Sequence, residues 1–214
     1  VVEESRDAPD RLGQVVGATH VVIGSFTLTG GQIAVRARNI RLDTGHMENE
    51  IVEPGPLEDL FAMFERVSRR VGGATASSAM PLERPILQAF ENYIKGLIAS
   101  ATAARIGYLE SAIKLGPGFD RARLALWAVH HEQGSGQAAL LAAAAVPEAS
   151  PYYARARFSV ALSLIQLKRF EEAFATLRTL NDRSPSSTVL NNIGVVQLRR
   201  PGTPQAGLAT YYFN

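Results

Sequence analysis

The 214-residue chain has no cysteine. This excludes disulfides, thiolate metal sites and cysteine nucleophiles together, and leaves the compartment open. Histidine is scarce, at 4 residues, and tryptophan occurs once. No apolar run approaches the roughly 18 to 20 residues that cross a bilayer; the Ala-rich stretch Ala138–Val146 is far too short. Basic residues are scattered, with no run of the kind that marks a nucleic-acid patch. Net charge is only +2, unevenly spread. Residues 1–75 hold 8 Arg against 11 Asp+Glu, giving −3, and the remainder hold 14 Lys+Arg against 9, giving +5. What is present, 46% hydrophobic and 20% charged residues, is an ordinary globular balance. The chain opens at Val1 without methionine and ends at Asn214 inside an expected helix. It therefore reads as a piece of a longer protein, and a signal peptide or anchor would fall outside it.

Residues 1–72 read as a partial α/β domain. Ala8–Val16 has helical spacing, with Asp7 placed to cap it. His20–Thr27 is rich in β-branched residues, and Gln32–Leu42 alternates Ile33, Val35 and Ala37 with Arg36 and Arg38. A third strand is expected over His46–Val52. The intervening Thr29-Gly30-Gly31 and Asp43-Thr44-Gly45 are short turns, so the strands form an antiparallel meander. Pro54-Gly55-Pro56 breaks the sheet pattern, and an amphipathic helix follows over Leu57–Val71 with Leu57, Leu60, Phe61, Phe64 and Val67 on one stripe. Residues 73–84 have a linker's composition of glycine, serine and alanine.

Residues 85–214 are helical throughout, and they repeat. The interval from Pro117 to Pro151 is the same as that from Pro151 to Pro185. The clearest unit is 154–187, with Ala161 at its eighth position, Phe170 at its seventeenth, Ala173 at its twentieth, Leu177 at its twenty-fourth and Pro185 at its thirty-second. Small residues there let two helices cross closely, the large one plugs the hairpin and the proline ends the second helix. The unit 120–153 keeps Leu126, Gly134, Ala139 and Pro151 but puts Trp127 at the small position. The unit 86–119 keeps Leu109, Ala112 and Pro117 but puts Arg105 where alanine is expected. The last, 187–214, has Leu190, Ile193, Gly194 and Ala206 and stops early.

This pattern resembles the tetratricopeptide repeat, whose period of about 34 residues matches the proline interval. The resemblance implies an all-α stack of hairpins in which neighbours complete each other's core and the first helix of each hairpin lines a concave groove. The fold class is thus an α+β N-terminal part followed by an all-α superhelix, mostly helical overall. The family's inward positions fall on Arg121, Leu124, Ala128, His131 and Glu132, then on Arg155, Phe158, Leu162, Ile165 and Gln166, then on Thr188, Asn191, Val195, Leu198 and Arg199. The partner-binding residues expected from this register are Arg121, Leu124, His131, Arg155, Phe158, Leu162, Ile165, Gln166, Asn191, Val195 and Arg199. Members that grip chaperone C-termini use lysine and asparagine at set inner positions. Asn192 matches one, the lysines are absent, and that activity is not expected.

Residues 17–26, Gly-Ala-Thr-His-Val-Val-Ile-Gly-Ser-Phe, with the alternating strand and Asp43-Thr44-Gly45 after them, resemble the end of a TolB N-terminal-like domain, related to FlgO-like and CsgG-like envelope modules. The resemblance covers most of residues 1–72 and does not reach the repeats. It implies a bacterial protein of the periplasm or envelope, with a cytoplasmic regulator as the alternative.

Catalytic constellations do not assemble. His130 and His131 are neighbours about 100° apart on a helix and cannot share an ion. His20 and His46 lack a third ligand. Gly134-Ser135-Gly136-Gln137 lacks the lysine of a phosphate loop and reads as a hairpin turn. The stripe of Arg36 and Arg38 has no aromatic partners for a nucleic acid. Glu171 and Glu172 are helix-start residues rather than an acid–base pair. The expected function is a non-enzymatic scaffold that binds a protein or peptide, without cofactor, metal, nucleic acid or a membrane span in this piece. Alternatives are a self-assembling envelope protein, pairing through Leu208, Tyr211, Tyr212 and Phe213, and a small-ligand sensory module marked by a deep polar pocket.

Overall fold

A computed structural model describes residues 17–72 and 83–200. The expected helix at Ala8–Val16, most of the linker, and the second helix of the last repeat lie outside them. The chain divides into two compact units, Val1–Arg84 and Pro85–Asn214.

In the first unit, β1 (His20–Thr29), β2 (Gln32–Arg41) and β3 (Ile51–Pro56) form an antiparallel sheet in that order. Gly30 and Gly31, both at positive φ, make the two-residue turn that sets the register Thr29 to Gln32 and Phe26 to Val35. The third strand begins later than expected. Only Met47 of the stretch 46–50 bridges to β2, at Ile40, and the strand proper runs through the expected breaker, Pro54-Gly55-Pro56. The reason is parity. Leu57 donates its N–H to the Gly31 carbonyl at 2.9 Å, so odd-numbered residues point their N–H groups at β2. Pro54 and Pro56 then turn their ring nitrogens away from the ladder, where no donor is needed. Gly55 leaves room for the Met63 side chain: a Cβ there would stand 2.9 Å from Met63 Sδ, and that side chain would have to shift.

A short 3-10 turn (Leu57–Asp59) leads into α1 (Leu60–Gly72). Its buried stripe is Met63 and Val67, packed on Ile33, Val35 and Ala37, with Leu60 and Val71 at the margin. Phe64, expected on that stripe, is 43% exposed. The helix lies over β2 and β3. On the same sheet face, Val22, Phe26 and Leu28 of β1 remain largely open.

The second unit is seven helices among the described residues: α2 (Leu87–Ile98), α3 (Thr102–Leu115), α4 (Asp120–Glu132), α5 (Gly136–Ala144), α6 (Tyr153–Gln166), α7 (Phe170–Arg183) and α8 (Ser187–Arg199). Each packs on the next in sequence, and α4 also meets α6. The small residues are where the crossings need them: Ala89, Ala112, Ala122, Ala139, Ala161 and Ala173 are all fully buried. Ala161 and Ala173 join Leu164, Leu177, Leu180 and Ile193 in one cluster that runs from α5 to α8.

The two departures from the repeat pattern have local solutions. Trp127, at a small position, packs its indole against the main cluster and donates to the buried Ser163 Oγ at 2.9 Å, and Ser163 donates in turn to the Ser159 carbonyl at 3.0 Å. In the first hairpin the close approach is made by Gly96 against Leu109, which frees Arg105 to reach Glu132 at 3.0 Å.

The backbone repeats as well. Gly134 (φ 72) and Lys168 (φ 59), one repeat apart, both sit in the left-handed region at the hairpin turn. An L-residue there costs about 1–2 kcal/mol, and glycine gives back about 0.5–1 in the unfolded chain. Lys168→Gly should therefore stabilise the unit by about 0.5–1 kcal/mol. Thermal melts check this, and an unchanged or lower midpoint refutes it.

Candidate functional site

The expected groove residues belong to the first helices of successive hairpins. Side-chain bonds set two of those helices, α4 and α6, side by side. Besides the Trp127–Ser163 bond, Gln166 Nε2 donates to the His131 carbonyl at 3.2 Å, tying α4 to α6. The His131 ring stacks on Trp127, with centroids 5.1 Å apart and planes 19° off parallel.

On α6, Arg155 and Gln166 are exposed, and Phe158, Leu162 and Ile165 are half-buried. From Arg155 through Phe158 and Leu162 to Ile165, the spacing of three, four and three residues keeps them on one helix face. On α8, Asn191 and Arg199 are exposed and Val195 is half-buried, with Leu198 (51% exposed) beside them. On α4, Arg121 is exposed and His131 half-buried. The structure thus leaves ten of the eleven expected residues at least partly accessible, in three successive stripes. Leu124 is the correction. At 5% exposure it is sealed with Val146 and Ala156, against Tyr152, because the turn from α5 into α6 folds over it.

The accessible apolar residues are not equivalent. Phe158 and Ile165 lean on the main cluster and help hold it, whereas Leu162 and Leu198 are not part of it. The same register continues one hairpin earlier. Ile94, Leu97 and Ile98 on α2 fall at the ninth, twelfth and thirteenth positions of the first unit, and are 36%, 46% and 76% exposed. Counting the inward positions from Ile86 reaches them, a signal present in the sequence alone.

The charges sort in a similar way. Arg105 pairs with Glu132 (3.0 Å), Arg123 with Asp120 (3.5 Å), Arg183 with Glu148 (2.6 Å) and Arg169 with Glu172 (2.6 Å). Arg200 holds Glu171 at 2.8 Å and lies over the Phe174 ring, 4.6 Å from its centroid. The hydrogen bond from Arg200 keeps the Glu171 carboxyl below its usual value, as that from Arg169 does for Glu172. Arg121, Arg155 and Arg199 make no ion pair among the described residues.

The first unit offers a different feature, a cavity of about 540 Å³ between β1, β2 and α1, lined by Val22, Phe26, Phe64, Val67 and Val71 among others. Its walls are mainly apolar, unlike the deep polar pocket that would mark a sensory module. His20 lies opposite Arg41 on β2, and His46 lies in the turn beyond it, so the two do not pair across the strands. Among the described residues no group of three His, Asp or Glu is placed to hold a metal, and no helix is long and apolar enough to cross a membrane.

Hairpins of this length, stacked in sequence order with small residues at their crossings, give the second unit a tetratricopeptide-like fold. Solved structures of MamA, a tetratricopeptide-repeat protein, share it. The MamA RS-1 ArsTM double mutant aligns with a TM-score of 0.52 at 19% identity, over 58% of this chain and 71% of that one. A crystal structure of MamA aligns with a TM-score of 0.51 at 16% identity, over 73% and 88%. No family model and no curated protein matches the chain, so the resemblance of its first unit to TolB N-terminal-like domains has no support from them.

Proposed function

We propose that this chain is a non-enzymatic protein-interaction scaffold that holds a protein or peptide segment across the first helices of its hairpins. One observation carries the reading: the second, ninth, twelfth and thirteenth positions of successive repeats all stay at least partly accessible on α2, α4, α6 and α8. An apolar stripe kept open at a fixed period serves something outside the fold.

Leu162 is the residue to change, since it lines the stripe without joining the main cluster. Leu162→Glu should leave the thermal midpoint within a few degrees and weaken partner binding at least about tenfold, or about 1.4 kcal/mol. Partners captured by the protein from its native lysate, then titrated against both forms, give the measurement. Partners that bind the variant as tightly as the parent sink the reading.

The first unit we take as a partial TolB N-terminal-like module, and the compartment as the bacterial periplasm or envelope. The motivation is the run Gly17–Phe26 followed by a glycine turn, an alternating strand and Asp43-Thr44-Gly45. Fractionation of cells that make the protein tests it, and recovery wholly in the cytoplasm would remove it.

A further inference from the structure

We infer that the segment held by the repeat face is acidic as well as apolar, and that Arg121 and Arg155 are the groups that read its charge. This rests on the scaffold reading and adds the chemistry of the partner. The residues occupy the same position in successive repeats, on helices that the Trp127–Ser163 and Gln166–His131 bonds hold side by side. Both are exposed.

Five other arginines of the repeats, Arg105, Arg123, Arg169, Arg183 and Arg200, are neutralised by a carboxylate of the same chain. Arg157 and Arg178 share with Arg121 and Arg155 the lack of an ion pair among the described residues but lie off the inward positions, so it is the placement on the repeat face that singles out Arg121 and Arg155. The acidic side chain at an inward position, Glu132, is itself engaged by Arg105. Subtracting that pair leaves Arg121, Arg155 and Arg199 as uncompensated positive charge along an apolar floor of Leu162, Val195 and Leu198. A guanidinium with no internal carboxylate matches a carboxylate brought by the partner. A segment that is only apolar leaves three cations unmatched, and a basic one is repelled.

Spacing makes the inference specific. Neighbouring packed helices lie about 8–10 Å apart. In a peptide held in the polyproline II conformation, with three residues per turn, side chains three residues apart share one face and recur at about 9 Å. Acidic residues at every third position, with leucine or alanine between, would therefore meet Arg121 and Arg155 in turn while the apolar residues reach the floor.

The test uses two labelled peptides of about nine residues, one with glutamate at every third position and one with glutamine there. They are titrated by fluorescence anisotropy against the 214-residue chain. The glutamate peptide should bind at least about tenfold tighter at low ionic strength, and lose that advantage near 0.5 M salt (about a 4 Å screening length). Arg121→Glu/Arg155→Glu should erase the difference without lowering the melting midpoint, because both sites lie in a first helical turn, where an acidic residue is favoured. Equal binding of the two peptides, abolished for both by Leu162→Glu, would overturn the acidic partner and keep the scaffold. Binding of neither, or binding of both that Leu162→Glu leaves intact, would overturn the two together. A single-stranded DNA oligonucleotide that binds as tightly as the glutamate peptide, and is lost in the same arginine variant, would also overturn the inference, since the face would then select polyanions rather than an acidic peptide.

Discussion

Replacing Leu177 with alanine should destabilise the repeat unit by about 3–4 kcal/mol. The side chain is fully buried in α7 and belongs to the cluster shared by α5, α6, α7 and α8. Removing it loses the transfer energy of the deleted carbons and leaves a cavity that the neighbours fill only in part. Ala161 and Ala173, in the same cluster, have almost no side chain to move inward. Collapse is therefore poor, and the loss belongs in the upper part of the usual range. Against a typical domain stability of about 5–15 kcal/mol this is a large share. Urea unfolding followed by helical circular dichroism should show a lower midpoint at an unchanged slope. Leu141→Ala, at a side chain 63% exposed, is the control and should stay within about 0.5 kcal/mol. A Leu177→Ala loss under about 1 kcal/mol would mean that the hairpin crossing is not where the stability resides.

The second large effect is expected at Gly96, and here two opposing terms must be weighed. Alanine in a helix interior is favoured over glycine by about 1 kcal/mol. At Gly96, however, a Cβ would stand 2.6 Å from Leu109 Cγ, 2.9 Å from Leu109 Cδ2 and 3.3 Å from the Arg105 carbonyl. Leu109 is fully buried, and it packs with Leu126 and Val129, so the neighbours must move with it. Overpacking of this kind costs about 1–3 kcal/mol, so the steric term wins. Gly96→Ala should be destabilising by about 1 kcal/mol, and Gly96→Val, with more carbon to place and a stiffer rotamer, by about 3. Gly107→Ala in α3, where a Cβ meets nothing within 4 Å, should instead gain up to about 1 kcal/mol. Paired melts of the three variants decide it. A stabilised Gly96→Ala would show that α2 and α3 separate more easily than their packing implies.

The repeat architecture is legible in the sequence because its physics is periodic. Prolines at 117, 151 and 185 and alanines at 161 and 173 are demanded by helix ends and close crossings, which recur at every unit. The third strand is harder to read. Pro54-Gly55-Pro56 reads as a breaker, since the parity that turns both prolines away from β2 depends on the register with a partner strand. Phe64 illustrates the limit of helical periodicity, which groups residues on a stripe but does not say where the opposing sheet stops. The helix covers β2 and β3, and Phe64 lies toward the open strand β1. At the candidate site, position counting finds the right helix faces but treats each hairpin alike. Leu124 escapes the rule because Val146 and Tyr152 close over it, a contact from a turn whose course the register does not specify. The unpaired state of Arg121, Arg155 and Arg199 is likewise a matter of which carboxylates arrive nearby, and composition alone is silent on that.

The packing of α2 through α8, mainly of each helix on the next, also bears on how this unit acquires and loses its structure. Almost every tertiary contact joins segments close in the chain, so little loop entropy stands between the unfolded state and a first native hairpin. Such low contact order belongs to fast folders, which reach the native state in about microseconds to milliseconds. With no strand to seat and no distant segment to await, a nucleus can form at any adjacent pair of helices and spread both ways. The reverse route is equally local. Opening begins at whichever hairpin has a neighbour on one side only and advances inward, so partial digestion should trim the array from its ends in whole-hairpin steps.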